Sequence, residues 1–112
     1  MKKNIQINST KSVKEAMQLL NRTGQNCLIV VDDSKKMLGT LTDGDIRRYI
    51  LVNKSLSHTV KNIFNKKPKY VNQIEPDFEN VKKLMLKYKI DLVPVVDKNF
   101  RVLDYCTWEQ VF

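Results

Sequence analysis

The chain has 112 residues, of which 42% are hydrophobic and 29% charged, and these values are typical of one soluble globular domain. They argue against a membrane-spanning segment, because no apolar run approaches the ~20 residues that cross a bilayer, and the N-terminus turns polar too early for a secretory signal. The net charge of +8 comes from scattered lysines and arginines, which indicates a solvated basic surface or an anionic partner.

The first predicted elements are a short strand and an amphipathic helix. Alternating apolar residues predict the strand at Ile5–Ile7. Ser12 and Glu15 have capping-box spacing and open a helix that runs to about Thr23, and Gly24 suits its C-terminal cap. The apolar residues spaced for the inner face of this helix are Val13, Ala16, Met17 and Leu20.

Two strands and a second helix complete the first half. The continuous apolar run Cys27–Val31 predicts a strand that is buried on both faces. A short polar turn leads to a strand at Met37–Leu41, which we expect to run antiparallel to the previous one. The second helix is predicted over about Asp43–Val52, with Ile46, Tyr49 and Ile50 facing inward.

The second half repeats this order after a polar connection, residues 53–67, in which Val60, Ile63 and Phe64 have the spacing of a short docked helix. The predicted elements are a strand at Tyr70–Val71, a helix capped by Asp77, strands at Leu92–Val96 and Arg101–Cys106, and a helix from Trp108. The inner face expected for the Asp77 helix consists of Phe78, Val81, Met85 and Tyr88. Pro94 lacks an amide proton and therefore predicts an edge or bulge within its strand. The last helix stops at Phe112, so we expect the chain to be a fragment of a longer protein.

The two halves align without a gap, because Thr107 follows Thr42 by 65 positions and the rest of each half keeps that offset. Val30-Val31-Asp32 then matches Val95-Val96-Asp97, and Leu38 matches Leu103. A register held over both halves predicts a two-unit repeat with units at 1–52 and 68–112, joined by residues 53–67. Units of roughly 50 residues bury too little surface to be stable alone, so we expect them to share an interface.

The segment from Leu38 to Arg48 contains the candidate ligand-binding residues. Thr42 and Asp45 have capping-box spacing at the start of a helix, and the unpaired N–H groups of a first helical turn suit a phosphate. The Asp45 carboxylate can accept hydrogen bonds from two hydroxyl groups, for instance those of a ribose. Arg47 and Arg48 follow with cationic groups suited to phosphate oxygens.

The order strand, helix, strand, strand, helix, present twice with Gly-x-x-Thr-x-x-Asp at the last strand-to-helix junction, resembles the CBS domain pair (Bateman module) over essentially the whole chain. The resemblance implies an α+β fold of tandem repeats with small mixed sheets and helices. It also implies a regulatory module, not an enzyme, that requires no cofactor and binds adenosine compounds such as AMP, ADP, ATP or S-adenosylmethionine in clefts between the repeats. The wording Thr-Asp-Gly-Asp-Ile-Arg-Arg further resembles pairs that precede a sugar-phosphate nucleotidyltransferase domain, so we expect an attached catalytic domain.

The resemblance assigns ligand-binding roles to Gly39, Thr42 and Asp45, and the charge argument above adds Arg47. Gly39 lets the ligand approach the backbone, Thr42 contacts phosphate and Asp45 contacts the ribose hydroxyls, while Arg47 supplies positive charge. A weaker second site falls on Thr107 and Gln110. It departs from the motif, because Asp104 stands where the pattern has Gly and Gln110 offers only neutral hydrogen bonds.

Other interpretations stay open. Thr42 and Asp45 can serve as a helix cap alone, and the chain can act as a homodimeric interaction module without a ligand, with Trp108 as the interface anchor. Nucleic-acid binding through the basic charge is a weaker alternative, because no aromatic platform or known motif accompanies it. The aspartates near the junction lack calcium-loop spacing, and a single His58 with no nucleophile beside a base gives no catalytic site. Cys27 and Cys106 lie in apolar runs, which is typical of buried thiols in a cytoplasmic protein.

Overall fold

The computed structural model describes residues 2–53, 55–72 and 76–112. The contacts of the chain divide it into two units. The first comprises Met1–Asp33 and Leu38–Pro68, and the second comprises Ser34–Met37 and Lys69–Phe112.

The first repeat contains the predicted strand, helix, strand, strand and helix. In chain order these are β1 (Gln6–Asn8), α1 (Val13–Thr23), β2 (Cys27–Val31), β3 (Met37–Thr42) and α2 (Asp43–Asn53). The strands form a sheet in the order β1-β2-β3, and β1 pairs parallel with β2. The connection that follows contains a 3₁₀ turn at Val60–Asn62, with Ile63 as its C-terminal cap. This turn is shorter than the helix predicted from Val60, Ile63 and Phe64.

Helix α1 confirms the predicted caps. The Ser12 hydroxyl accepts a hydrogen bond from the Glu15 amide at 3.1 Å, and Gly24 adopts a left-handed φ of 72° while its amide donates to the Leu20 carbonyl. Val13, Ala16 and Leu20 are buried as predicted. Met17 is 37% exposed, because its side chain lines an open groove beside α2.

The second repeat contains α3 (Phe78–Tyr88), β4 (Leu92–Val96), β5 (Val102–Thr107) and α4 (Trp108–Val111). Strand β4 pairs antiparallel with β5, and the register shifts between Val95 and Val96, one residue beyond Pro94. The core of this unit is built from aliphatic and thiol side chains on all four elements and on one bridge residue, namely Val71, Val81, Met85, Val93, Val95, Cys106 and Val111.

The inward positions predicted for the ends of α3 are wrong. Phe78 is 46% and Tyr88 40% exposed, whereas Val81 and Met85 in the middle of the helix are fully buried. The two aromatic residues occupy the first and last positions of the helix. The Tyr88 ring instead contacts the ammonium groups of Lys69 and Lys87, which lie 4.2 and 5.3 Å from its centroid.

Within residues 55–72, the strand predicted at Tyr70–Val71 is represented by a parallel bridge between Val71 and Val95. Proline explains the difference. In the first repeat the Ile29 amide donates to the Ile5 carbonyl at 2.9 Å, and the residue 65 positions after Ile29 is Pro94, which has no amide proton to donate. The second repeat therefore cannot form the equivalent of this bond, which in the first repeat belongs to the Gln6–Ile29 pair at the start of β1.

The repeat is also visible in the backbone conformation. Lys35 and Phe100 both have left-handed φ, at 66° and 65°, and Lys89 at 55° occupies the position that corresponds to Gly24. These pairs keep the same 65-residue offset as the two threonines. The two-unit repeat thus extends to turn geometry and helix termination.

Candidate ligand-binding site at the first strand-to-helix junction

Strand β3 runs directly into α2, and Thr42 and Asp45 form the predicted capping box there. The Thr42 amide donates to Asp45 Oδ2 at 2.9 Å, and the Asp45 amide donates to Thr42 Oγ1 at 3.1 Å. Helix α2 has 11 residues, so its first turn carries the partial positive charge that favours an anion. The geometry satisfies the helix terminus and also leaves lone pairs on the Asp45 carboxylate for further donors.

Arg48 contacts the same carboxylate from one turn along α2. Its Nη2 donates to Asp45 Oδ1 at 2.7 Å, with the Arg48 side chain 72% and the Asp45 side chain 19% exposed. The guanidinium lies over Gly44, because a Cβ at Gly44 would stand 3.3 Å from Arg48 Nη1 and 3.7 Å from Thr42 Oγ1. Threonine hydroxyl, aspartate and arginine therefore meet at the start of α2.

Arg47, the arginine predicted to reach the ligand, belongs to a different ion pair. Its guanidinium bonds to Asp43, and both residues line an open groove of about 480 Å³ beside α1. The lining of this groove mixes polar residues with apolar ones, among them Leu20, Ile46 and Ile50. The structure thus pairs Arg47 with Asp43 and Arg48 with Asp45, an assignment that sequence spacing alone does not decide, because both i,i+3 and i,i+4 neighbours can meet on a helix.

Gly39 is required by the packing of the chain itself. A Cβ there would lie 2.0 Å from the Asn65 carbonyl oxygen and 2.6 Å from Phe64 Cδ2. The Asn65 backbone approaches so closely because it exchanges two hydrogen bonds with Thr40, at 3.1 and 2.8 Å. The lack of a side chain at Gly39 therefore allows residues 64–65 to pack against it. Contact between Gly39 and a ligand stays a prediction.

The second strand-to-helix junction, between β5 and α4, has the same capping box at the start of a shorter helix. The Thr107 amide donates to Gln110 Oε1 at 2.8 Å, which completes a capping box at the start of α4. Helix α4 spans four residues, and Trp108 stacks on Phe112 with ring centroids 3.9 Å apart. Asp104 is exposed on β5. Thr107 and Gln110 therefore meet as predicted, with a neutral amide where the first junction has a carboxylate.

Two further observations apply to residues 2–53, 55–72 and 76–112. Among them, no helix combines the length and the apolar character needed to cross a bilayer. The same ranges contain no group of three or more His, Cys, Asp or Glu side chains placed to hold a metal ion.

Comparison with known proteins identifies the repeat. The model of the CBS domain matches residues 1–52 and again residues 60–111. The chain is a CBS domain pair. Its α+β architecture, with small sheets and four helices among the described residues, agrees with the fold predicted from the sequence.

Relatives of this CBS pair include a sugar-phosphate enzyme. The chain is 34% identical over 94 residues to arabinose 5-phosphate isomerase GutQ of Escherichia coli O6:H1, which covers 84% of the chain and 29% of the isomerase. The chain thus spans less than a third of the length of that relative.

Solved structures of CBS pairs superpose well on the chain. The CBS domain pair of protein MJ0100, in complex with 5′-methylthioadenosine and S-adenosyl-L-methionine, is 32% identical with a TM-score of 0.84, and the match covers 99% of this chain and 86% of that one. The cytosolic domain of the Mg²⁺ channel MgtE in complex with ATP is 27% identical with a TM-score of 0.79, covering 96% of this chain and 43% of that one.

Proposed function

We propose that this CBS pair is a regulatory module that binds an adenosine nucleotide of the AMP, ADP or ATP class at the junction between β3 and α2. The observation that carries the proposal is the capping box of Thr42 and Asp45 at the start of an 11-residue helix, with an arginine on the same carboxylate. The ATP bound by MgtE supports a nucleotide, and the 5′-methylthioadenosine and S-adenosyl-L-methionine bound by MJ0100 support the adenosine part of the ligand.

Each residue at the junction has a distinct role in the proposal. The Thr42 hydroxyl donates to a phosphate oxygen, and the partial positive charge at the start of α2 attracts the phosphate. The Asp43 and Asp45 amides already donate within the protein, to the Asn26 carbonyl and to Thr42 Oγ1. Asp45 accepts hydrogen bonds from the ribose hydroxyls, using the second lone pair of each oxygen. A carboxylate makes such bonds stronger than a neutral group does.

We propose one ligand per chain, bound at the first junction. At the second junction the neutral Gln110 replaces the carboxylate, and the exposed Asp104 and Glu109 add negative charge. Exchanging charge-assisted for neutral hydrogen bonds costs on the order of 1–3 kcal/mol, and each ~1.4 kcal/mol is tenfold in affinity. Thr107 and Gln110 therefore form at most a weak site.

The whole protein, in this proposal, carries a catalytic domain whose activity the nucleotide regulates. The identity to arabinose 5-phosphate isomerase over 29% of that enzyme's length supports a domain that acts on a sugar phosphate. The sugar-phosphate nucleotidyltransferase expected from the Thr-Asp-Gly-Asp-Ile-Arg-Arg motif is the alternative, and it also acts on sugar phosphates. A cytoplasmic location remains part of the proposal.

A second candidate function is an interaction module that forms a homodimer, with or without a ligand. Exposed apolar side chains favour it, since Leu51 and Val52 on α2 are 75% and 80% exposed. The stacked and exposed Trp108 and Phe112 are further candidates for a protein interface, where large aromatic residues are enriched. Nucleic-acid binding remains the weaker alternative.

Calorimetric titration of the purified chain with AMP, ADP and ATP tests the proposal. We expect saturable binding to the wild type, strong loss in Asp45→Ala and near-wild-type affinity in Gln110→Ala. Gln110 is the matched control, because it occupies the capping position that corresponds to Asp45. Heat and melting temperature that do not change with any of the three nucleotides at millimolar concentration would leave the dimeric interaction module as the better account.

A further inference from the structure

We propose that residues 55–65 form a strap whose docking on the first repeat is coupled to ligand binding at the junction between β3 and α2, so that an occupied junction keeps the strap docked. This inference rests on the proposed function and adds a route by which a bound nucleotide acts on the connection that follows the first repeat. All of the residues that form the strap and its contacts belong to the first unit.

The strap supplies hydrogen-bond acceptors for the first turn of α1. The Val13 amide donates to the His58 carbonyl at 2.9 Å, and the Lys14 amide donates to the Leu56 carbonyl at 3.0 Å. Val13 and Lys14 are the first two residues of the helix, and amides at these positions have no acceptor within a helix. Undocking of the strap therefore leaves two amides of α1 without their acceptors.

The same strap contacts the elements on both sides of the ligand junction. Asn65 exchanges two backbone hydrogen bonds with Thr40 of β3, at 3.1 and 2.8 Å. The Tyr49 hydroxyl of α2 and His58 Nδ1 share a hydrogen bond of 2.6 Å. Thr40 lies two residues before the capping box, and Tyr49 lies about one helical turn after it. A docked strap therefore holds both the strand that precedes the junction and the helix that follows it.

Few buried groups hold the strap in place. Val60 is fully buried, and its amide donates to the Lys11 carbonyl at 2.9 Å. The other side chains of residues 55–65 are exposed or half-buried, and the bond between Tyr49 and His58 is exposed. Segments with few buried apolar contacts open locally at a lower cost than unfolding of the whole chain. The strap is therefore expected to exchange between a docked and an undocked state within the folded protein.

Ligand binding and strap docking favour each other, because both need the same elements in place. The proposed ligand contacts at Thr42 and Asp45 require the end of β3 and the start of α2 to be arranged as they are in the docked state. A nucleotide that binds this state more tightly than the undocked one shifts the equilibrium towards docking. The coupling is reciprocal, so a change that weakens the strap must also weaken nucleotide binding.

Amide hydrogen exchange of the wild-type chain, measured by NMR with and without AMP, tests the coupling. The reporters are the Val13, Lys14 and Val60 amides, which lose their acceptors when the strap undocks. We expect their exchange to slow by up to about 100-fold at a free AMP concentration 100 times the dissociation constant. The Val81 amide, which donates to the Asp77 carbonyl in the second repeat, should slow less. Unchanged exchange at the three reporters, or equal slowing at Val81, would overturn the coupling.

Removal of one bond of the strap tests the reciprocal effect. Tyr49→Phe and His58→Phe each delete the hydrogen bond between these side chains. Each should speed exchange at Val13 and Lys14 by about two- to tenfold without AMP, the effect of one lost hydrogen bond, and should weaken AMP binding by no more than the same factor. The double variant should match either single variant, because the two residues share one bond. Tyr88→Phe, at the exposed end of α3, is the matched control and should change neither quantity.

The outcomes separate this inference from the proposed function. If the wild type binds no adenosine nucleotide, the proposed function is wrong and the coupling fails with it. If AMP binds and the two strap variants exchange faster but keep wild-type affinity, the proposed function stands and the coupling is overturned. Wild-type exchange rates in both variants would overturn the docking role of the bond between Tyr49 and His58. Circular dichroism spectra that match the wild type would confirm that the variants are folded.

Discussion

Replacing Gly39 with alanine should strongly destabilise the first repeat, whether or not a ligand is present. The new Cβ would lie 2.0 Å from the Asn65 carbonyl oxygen, so the Asn65 backbone must move by more than 1 Å to reach an ordinary contact distance of about 3.4 Å. That movement breaks both hydrogen bonds between Thr40 and Asn65, of 3.1 and 2.8 Å.

The cost follows from these two bonds. Each contributes about 1 kcal/mol, and the Thr40 amide, on a residue that is only 9% exposed, loses its partner at a further cost of about 1 kcal/mol. A total of about 3 kcal/mol corresponds to a fall in melting temperature of roughly 10–15 °C for a chain of this size.

Urea unfolding followed by circular dichroism measures the change, and Gly44→Ala is the matched control. The tightest contact of a Cβ at Gly44 is the end of the flexible Arg48 side chain, at 3.3 Å, and Thr42 Oγ1 lies at an ordinary 3.7 Å. Removing a helical glycine stabilises by up to about 1 kcal/mol. We therefore expect opposite signs for the two glycine variants. A Gly39→Ala protein within 1 kcal/mol of the wild type would refute the close packing of residues 64–65 on Gly39.

Three further predictions use other parts of the chain. Lys89→Gly should raise stability by about 1 kcal/mol in the same unfolding assay, because Lys89 holds a φ of 55° where a side chain is disfavoured; no gain would mean that the lysine is not strained. Thr42→Ala should weaken nucleotide binding measured by calorimetry, whereas Thr107→Ala should not; equal effects would point to two equivalent sites. Analytical ultracentrifugation should detect a dimer of the 13.1 kDa chain at high concentration, and a monomer throughout would contradict the interface assigned to the exposed apolar residues.

Features that depend on local spacing could be predicted from the sequence. The caps at Ser12, Gly24 and Thr42 form as expected, because each needs only a residue and its neighbours within one helical turn. The repeat was predictable for a related reason, since two units of the same fold place equivalent residues at a constant offset. Both features are local in sequence or periodic, and together they are enough to predict a CBS pair.

Features that depend on distant contacts could not be predicted. The sequence gives no sign that residues 64–65 would pack on Gly39, because that contact crosses from the inter-repeat connection to β3. The choice between Arg47 and Arg48 rests on side-chain conformation, and helical spacing permits either pair. The weak pairing at Tyr70–Val71 could have been predicted from the repeat. Pro94 corresponds to Ile29, whose amide donates a hydrogen bond to the Ile5 carbonyl in the first repeat, and proline has no amide proton.

Amide chemical shifts of the ¹⁵N-labelled chain during titration with AMP test the central claim most directly. The account predicts that the largest shifts fall on residues 42–48, at the start of α2, and that they saturate at one equivalent of AMP per chain. The largest shifts at residues 107–111, or no shifts at millimolar AMP, would contradict it.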